Sequence, residues 1–315
     1  MTKTTPATEA SATPDWQYYA RQSGVTEPGR FADRVREIPA SLPEMRAAAR
    51  QLVFHYRDGG DYAANGIAPD RITEIDTRYA ADMLARIFGM SGLPLTAERS
   101  PNQRVLGCCR DFTVLFLAIA RTHGVPARAR VGFATYFVPG YFIDHVVAEV
   151  WDFDQQRWRL VDAELADDHI DPADRTRVDP EDLQPSEFVT GPAGWLACRS
   201  GKADPARHVV DPGLDIPATR GWPFVRHNLI HDLAALSRRE MVLWDNWGWT
   251  EPGAVLDTRQ LAVLDELATI TSGDPTVAEI DQFYATEGLR VTAEVTSYSP
   301  AHETPLQVVV KQVAG

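Results

Sequence analysis

The stretch from Arg104 to Pro126 constrains this chain more than any other. A short lead, Arg104-Val105-Leu106-Gly107, runs into Cys108-Cys109-Arg110-Asp111-Phe112-Thr113, then into Val114 to Ala120, all apolar, and closes on His123-Gly124-Val125-Pro126. A helix that is apolar nearly all round belongs in the middle of a core. Gly124 followed closely by Pro126 is a strong stop. The N-terminal end of this helix therefore falls at or near Cys109, with the buried length behind it.

Elements that wrap such a helix are legible on both sides. Ser41-Leu42-Pro43-Glu44 has the pattern of a capping box with proline in the first turn, and Met45, Ala48, Leu52 and Tyr56 recur at helical spacing behind it. A second helix is predicted from about Asp76 to Phe88, with Tyr79, Met83 and Ile87 on one face and Gly89 as its stop. Strand-like segments follow at 129–138, 145–153 and 158–162, the last two reading as a hairpin across Asp154-Gln155-Gln156-Arg157. His145, Val147, Glu149 and Trp151 then share one face, as do Trp158, Leu160 and Asp162. An even loop makes the two sets coincide and puts His145 on the face of Asp162; an odd loop flips one of them.

Beyond Glu164 the chain turns acidic and proline-containing and reads as a loop. Helical patterns recur at 224–239, 257–270 and 276–284, with a strand-like 289–296. The organisation expected is a disordered tail at 1–13, a core with N-terminal helices at 14–175, and a mostly helical extension at 176–315, either a flank packed on the core or a separate domain.

Bulk properties exclude some partners. A formal charge of -13 over 315 residues leaves no basic face for nucleic acid. No run approaches the ~20 apolar residues of a membrane span. The polar N-terminus lacks the apolar region of a secretory signal. Three cysteines, two of them adjacent, make no disulfide framework, so the reducing cytoplasm is the expected compartment.

The chemistry-bearing residues are Cys109, His145 and Asp162. A cysteine at a helix start is favoured as a thiolate by the helix dipole and free N–H groups. An imidazole takes its proton, and a carboxylate fixes the tautomer and stabilises imidazolium. Taken singly, each has a plain structural reading: a buried thiol, a strand histidine, a strand-end aspartate. Their order and context favour the joint one.

These residues resemble the transglutaminase-like superfamily. Gly107-Cys108-Cys109-Arg110-Asp111-Phe112 is similar to its Gly-x-Cys-x-Asp-Phe run, and Gly124-Val125-Pro126-Ala127-Arg128 to its Gly-Ile-Pro-Ala-Arg turn. Asp144 to Trp151 resembles its His-x-x-x-Glu-Val strand, and Trp158 to Asp162 its Trp-x-x-x-Asp strand. The likeness spans roughly residues 40 to 165. It implies a papain-like α+β fold, with a central buried helix packed on an antiparallel sheet and helical N- and C-terminal flanks. It also implies Cys109 as nucleophile, with His145 and Asp162 completing the triad. A thiolate of this kind attacks the carbonyl of a peptide, amide or thioester, and the acyl group passes to water or to an amine acceptor.

That chemistry calls for no cofactor and no metal, and nothing here resembles the calcium sites of animal members. Gln103 is a candidate second oxyanion donor beside the Cys109 N–H, as the glutamine of the papain pattern is. Its plainer reading is a solvated loop amide, and Asn102 is a weaker rival. Arg110 and Asp111 are expected to anchor the helix start. Trp244, Trp247 and Trp249 make an aromatic cluster, either core or a substrate-binding wall. His227 and His231 have the i, i+4 spacing of metal ligands but no third ligand. The rival readings are a catalytically silent binding module on this fold and an arylamine-acetyltransferase-like enzyme. The Asp-Phe after Cys109 and the Gly-Val-Pro-Ala-Arg turn fit the latter less well. Oligomeric state is not legible.

Overall fold

The computed structural model describes residues 15–311, so the tail expected at 1–13 lies outside the described residues. The chain opens with α1 (Asp15–Tyr18), α2 (Ala32–Arg36) and a longer α3 (Leu42–Leu52). Ser41 and Glu44 meet at the start of α3, hydroxyl to carboxylate, without the serine side chain capping a backbone N–H. Met45, Ala48 and Leu52 are buried along α3. The face stops short of Tyr56, because β-branched Val53 and aromatic Phe54 turn the chain extended into β1 (Val53–His55). The next helix, α4 (Ala80–Met90), starts later than expected because residues 69–76 wind as tighter 3₁₀ turns. Gly89 does not end it. The space beside that glycine is open, and one glycine in a last turn costs a helix only about 1 kcal/mol.

β2 (Val105–Gly107) pairs in parallel with β1, placing Gly107 opposite His55, and leads into α5 (Cys109–Thr122). Cys109 to Arg121 are all buried, as the apolar run requires. The start of α5 is locked by the two residues expected to anchor it. The Asp111 carboxylate accepts the Cys108 N–H at 2.9 Å, and Arg110 donates to the backbone carbonyls of Glu240 and Arg78. Gly107 has to be glycine, since a Cβ there would stand 2.6 Å from Asp111 Oδ2.

The central sheet is built from β3 (Ala127–Ala134), β4 (Phe142–Asp152) and β5 (Arg157–Val161), all antiparallel. β6 (Phe188–Thr190) closes the free edge of β3, α6 (Gly191–Arg199) follows, and β7 (His208–Val209) runs parallel to β4. After these come α7 (Gly221–Leu236), β8 (Asp245–Asn246), α8 (Thr258–Thr271), α9 (Val277–Tyr284), β9 (Glu294–Ser297) and β10 (Leu306–Val309). The last three strands form a small antiparallel sheet ordered β10-β9-β8.

On one face of the central sheet Ala129, Val131, Val146 and Ala148 pack with α5. The opposite face sends Ala134 and Val147 into a smaller core with Leu165 and Leu183. A further core joins Leu229, Ile230 and Leu233 of α7 to Leu264 and Leu267 of α8. Arg130, alternating with Ala129 and Val131, points to the opposite face. It donates to both carboxylate oxygens of Asp232 on α7, to Glu149 at 3.1 Å and to the Thr271 carbonyl at 3.0 Å. Arg128 joins the network through Glu149 and Asp274, with its guanidinium 4.1 Å from the Trp158 ring centroid.

The architecture is therefore α+β, a central buried helix on an antiparallel sheet with helical flanks. The region beyond residue 176 is not only helical, since it contributes β6 and β7 to the central sheet.

Candidate active site

The β4–β5 hairpin settles the condition on the loop. Asp152 pairs with Arg157 and Ala148 with Val161, so four residues make the turn, and Asp162 follows β5 on the side of His145 and Val147. His145 Nε2 and Asp162 Oδ2 are 2.8 Å apart. Asp162 is fully enclosed and takes three further bonds. Tyr136 Oη donates to Oδ2 at 2.6 Å, and the N–H groups of Glu164 and Leu165 donate to Oδ1 at 2.8 and 3.0 Å. Burial works against its charge, but the imidazole and these donors outweigh burial and hold its pKa below the ordinary carboxylate value. His145 is packed among Phe137, Tyr136 and Phe188, with ring centroids at 5.1, 6.2 and 6.5 Å. Burial would lower its pKa, yet the Asp162 carboxylate raises it above the usual imidazole value. The bond through Nε2 leaves Nδ1 as the nitrogen available to a thiol.

Cys109 is the first residue of α5 and is 6% exposed. One turn on, Thr113 Oγ1 donates to the Val146 carbonyl at 2.9 Å, so the first turns of this helix lie against β4 beside His145. Among the described residues no hydrogen bond links Cys109 Sγ to His145. Thiol–imidazole contacts of this kind are often long without substrate and tighten when it binds.

The electrostatics depart from the thiolate expected at a helix start. The Cys109 pKa is raised well above the ordinary thiol value, first by the Cys108 thiol next to it, then by burial, and then by the carboxyls of Glu164 and Asp144. The field of one helix N-terminus does not overcome these. A thiol raised in this direction calls for a base if it is to act as a nucleophile.

Four further groups border the site, and the sequence reading missed each of them. Tyr136 holds Asp162 in place. His55 lies across the β1–β2 ladder from Gly107 and near enough to His145 to feel its charge; burial lowers its own pKa to about 4. Glu164 and Asp144 are carboxyls with no lysine or arginine ion pair among the described residues; His145 works against their burial, and at Asp144 the Asn228 side chain does so too. Burial raises them to about 8 and about 7. Glu164 follows Asp162 by two positions and Asp144 precedes His145 by one, so their spacing was visible; the burial that gives them meaning was not.

The remaining candidates separate. Gln103 ends a 3₁₀ turn, and extended β2 stands between it and Cys109, placing the amide at the far end of that strand from the thiol. Asn102 packs on Gly66 and hydrogen-bonds Ser100. Neither is brought to the thiol. Trp247 is a core residue, donating to the Leu289 carbonyl at 3.0 Å, and Trp249 packs in the same second core. Trp244 stands apart from them. Its indole donates to Asp76 and meets the edge of Tyr56, whose phenol pKa is raised first by burial and then by nearby Cys108. Of the three, Trp244 alone packs against the core that contains Cys108 and Cys109. His227 and His231 stack at 3.9 Å between Phe224 and Trp247, a ladder of buried rings. Stacked rings aim their nitrogens sideways, not at a shared metal. Cys198 Sγ lies 3.7 and 3.9 Å from Nδ1 and Nε2 of His208. Among the described residues no group of three or more His, Cys, Asp or Glu side chains forms a metal cluster, and no helix is long and apolar enough to cross a membrane.

Comparison with known proteins gives a family match over part of the chain. The model of the Transglutaminase-like superfamily matches residues 93–163, a span that takes in Cys109, His145 and Asp162 and less than a quarter of the chain. Among solved structures, that of a "putative cysteine protease" from Cytophaga hutchinsonii is similar at 15% identity and a TM-score of 0.32. The likeness covers 49% of this chain and 43% of that one, so the chain spans less than half the length of the structure it matches. No curated protein matches the chain.

Proposed function

We propose that this chain is a cysteine-dependent acyl-transfer enzyme that works through a thioester on Cys109. The observation that carries the reading is the His145–Asp162 pair, held at 2.8 Å with both carboxylate oxygens of Asp162 hydrogen-bonded, on the strand against which the helix of Cys109 packs. A silent binding module has no need of an imidazole fixed by a fully bonded carboxylate.

In this reading His145 Nδ1 takes the proton of the Cys109 thiol as sulfur attacks the substrate carbonyl. The oxyanion that forms is met by the Cys109 backbone N–H, which points out of the first turn of the helix. The imidazolium, stabilised by Asp162, returns the proton to the leaving amine or thiolate as its bond to carbon breaks. Water or an amine then attacks the thioester and gives its proton to His145. Cys109 leaves as thiolate and recovers the proton. Because the thiol pKa is raised, His145 is a true base in the first step.

Intact-protein mass spectrometry with benzyl hexanethioate tests this. The wild type should gain one hexanoyl group, mapped by peptide digestion to Cys109, while Cys109→Ala gains none and His145→Ala gains it far more slowly. Adding a primary amine separates the branches: an amide product marks transfer, and release of acid alone at every amine concentration marks hydrolysis. Acylation that survives Cys109→Ala would sink the reading.

A further inference from the structure

Cys109 and His145 are only 6% and 2% exposed, so part of the surface must move before an acyl donor can reach them. The strand registers point to the part concerned. β1 runs beside β2 with His55 opposite Gly107, and the Tyr56 N–H donates to the Gly107 carbonyl at 2.9 Å, two positions before Cys109. β7 runs beside β4 with Val209 opposite Ile143, two positions before His145. Both β1 and β7 continue into loops, and the loops meet. Arg57 Nη2 donates to Asp211 Oδ2 at 2.6 Å, tying the ladder that leads to the thiol to the ladder that leads to the imidazole.

The two ends of this tie differ in firmness. Asp211 is held in a turn, its Oδ1 accepting the Gly213 N–H at 2.6 Å and its carbonyl the Leu214 N–H at 3.1 Å. The Arg57 end is loose. Among the described residues, every other hydrogen bond made by residues 57–66 stays within 55–67, as from the Gly59 N–H to the His55 carbonyl and from the Asn65 N–H to the Asp61 carbonyl. Gly60 adds a left-handed backbone at φ +98°, which glycine adopts without strain. A surface segment with so few bonds to the rest of the molecule opens at low cost.

We infer that residues 57–66 form a lid over the thiol site, and that the Arg57–Asp211 ion pair is the clasp that holds it shut. The two side chains are 29% and 41% exposed, so the clasp is strong enough to bias the lid and weak enough to yield. Exposure also leaves it open to screening by salt. Entry of the acyl donor then waits on opening, and the reactivity of Cys109 follows the fraction of molecules in which the clasp is undone.

What the lid admits rests on the acyl-enzyme reading, but the lid itself is tested without acyl transfer. The rate of Cys109 alkylation by iodoacetamide is followed by peptide mass spectrometry, with Cys198, a buried thiol of another core, as reference in the same digest. In Arg57→Gln and in Asp211→Asn, Cys109 should label about threefold faster than in the wild type, the scale of an exposed ion pair, with Cys198 unchanged. Removing a cation and removing an anion shift a thiol's own reactivity in opposite directions, so acceleration in both variants reads opening. The double variant should be no faster than either single one, because each undoes the same bond. Added salt should speed Cys109 in the wild type and leave the variants nearly unmoved. Unmoved rates, acceleration in one variant only, or Cys198 accelerating alongside would overturn the lid. Benzyl hexanethioate separates the two readings. If alkylation accelerates in both variants while the thioester never acylates Cys109, the lid stands and the acyl-enzyme falls; if Cys109 is acylated at one rate in all of them and alkylation is unmoved, the reverse holds.

Discussion

Replacing His227 by phenylalanine should make the protein less sensitive to mild acid. His227 is buried on α7, stacked between Phe224 and His231, and its Nδ1 has no hydrogen-bond partner among the described residues. Burial, helped by Arg226, lowers its pKa to about 3. In the unfolded chain the same imidazole titrates near ~6.5. Between those values the unfolded state binds a proton that the folded state refuses, so stability falls as pH drops below ~6.5, by about 1.4 kcal/mol per unit. From pH 7 to pH 5 this one group contributes a loss of about 2 kcal/mol, and the loss stops growing only near its folded value. Other groups move with pH over the same range, Glu164 and Asp144 in the opposite sense, so the quantity to read is a difference. Urea denaturation of wild type and His227→Phe at both pH values gives it, with any constant cost of the substitution cancelling. The gap between the two proteins should shift by about 2 kcal/mol in favour of the variant at pH 5. A shift below about 0.5 kcal/mol would mean that the imidazole charges in the folded state, through water or by leaving the stack, and would refute the argument.

Three other perturbations follow from the same structure. Asp232→Asn removes the charge that holds buried Arg130 and should cost ~3–5 kcal/mol in urea denaturation, while Arg130→Met with Asp232→Leu should recover most of it; a single variant within about 1 kcal/mol of wild type would argue against the network. Cys108→Ala removes the largest influence raising the Cys109 thiol; iodoacetamide labelling of Cys109 followed by peptide mass spectrometry should then rise at lower pH than in wild type, and an unmoved profile would contradict it. Tyr136→Phe strips one donor from Asp162; acylation of Cys109 in a single turnover should slow by about tenfold with KM little changed, and an unaffected rate would leave Tyr136 a packing residue only.

What the sequence made legible was local. The helix of the thiol announces itself because the unbroken apolar run from Val114 to Ala120 leaves no polar face. The hairpin announces itself because two alternating runs flank a polar turn. What it hid was set by distance along the chain. Tyr136 lies in an aromatic stretch, Thr135 to Phe142, where nothing marks one ring as the donor to Asp162. β6 and β7 hold three and two residues, too few to carry a period. His227 and His231 have ligand spacing, but only the fold reveals that rings lie above and below them. Gln103 has the right separation from Cys109 and the wrong backbone between, since an extended strand carries it away where a tight turn would bring it back.

The pairing of Arg130 with Asp232 bears on how the chain is made. The two lie 102 positions apart, and the carbonyl of Thr271 that also holds the arginine lies 141 positions on. At ordinary rates of synthesis the ribosome needs roughly 5–20 s to add those first hundred residues. Through that interval β3 has emerged with Arg128 and Arg130 sharing the single carboxylate of Glu149, and with one edge unpaired until β6 arrives. The half of the molecule that holds Cys109, His145 and Asp162 therefore waits on the other half. A nascent chain that stalls or is cut before α7 leaves Arg130 without the carboxylate that takes it through two nitrogens, and it stays open to chaperones and proteases. Closing the central sheet is tied to synthesis of the residues that follow it.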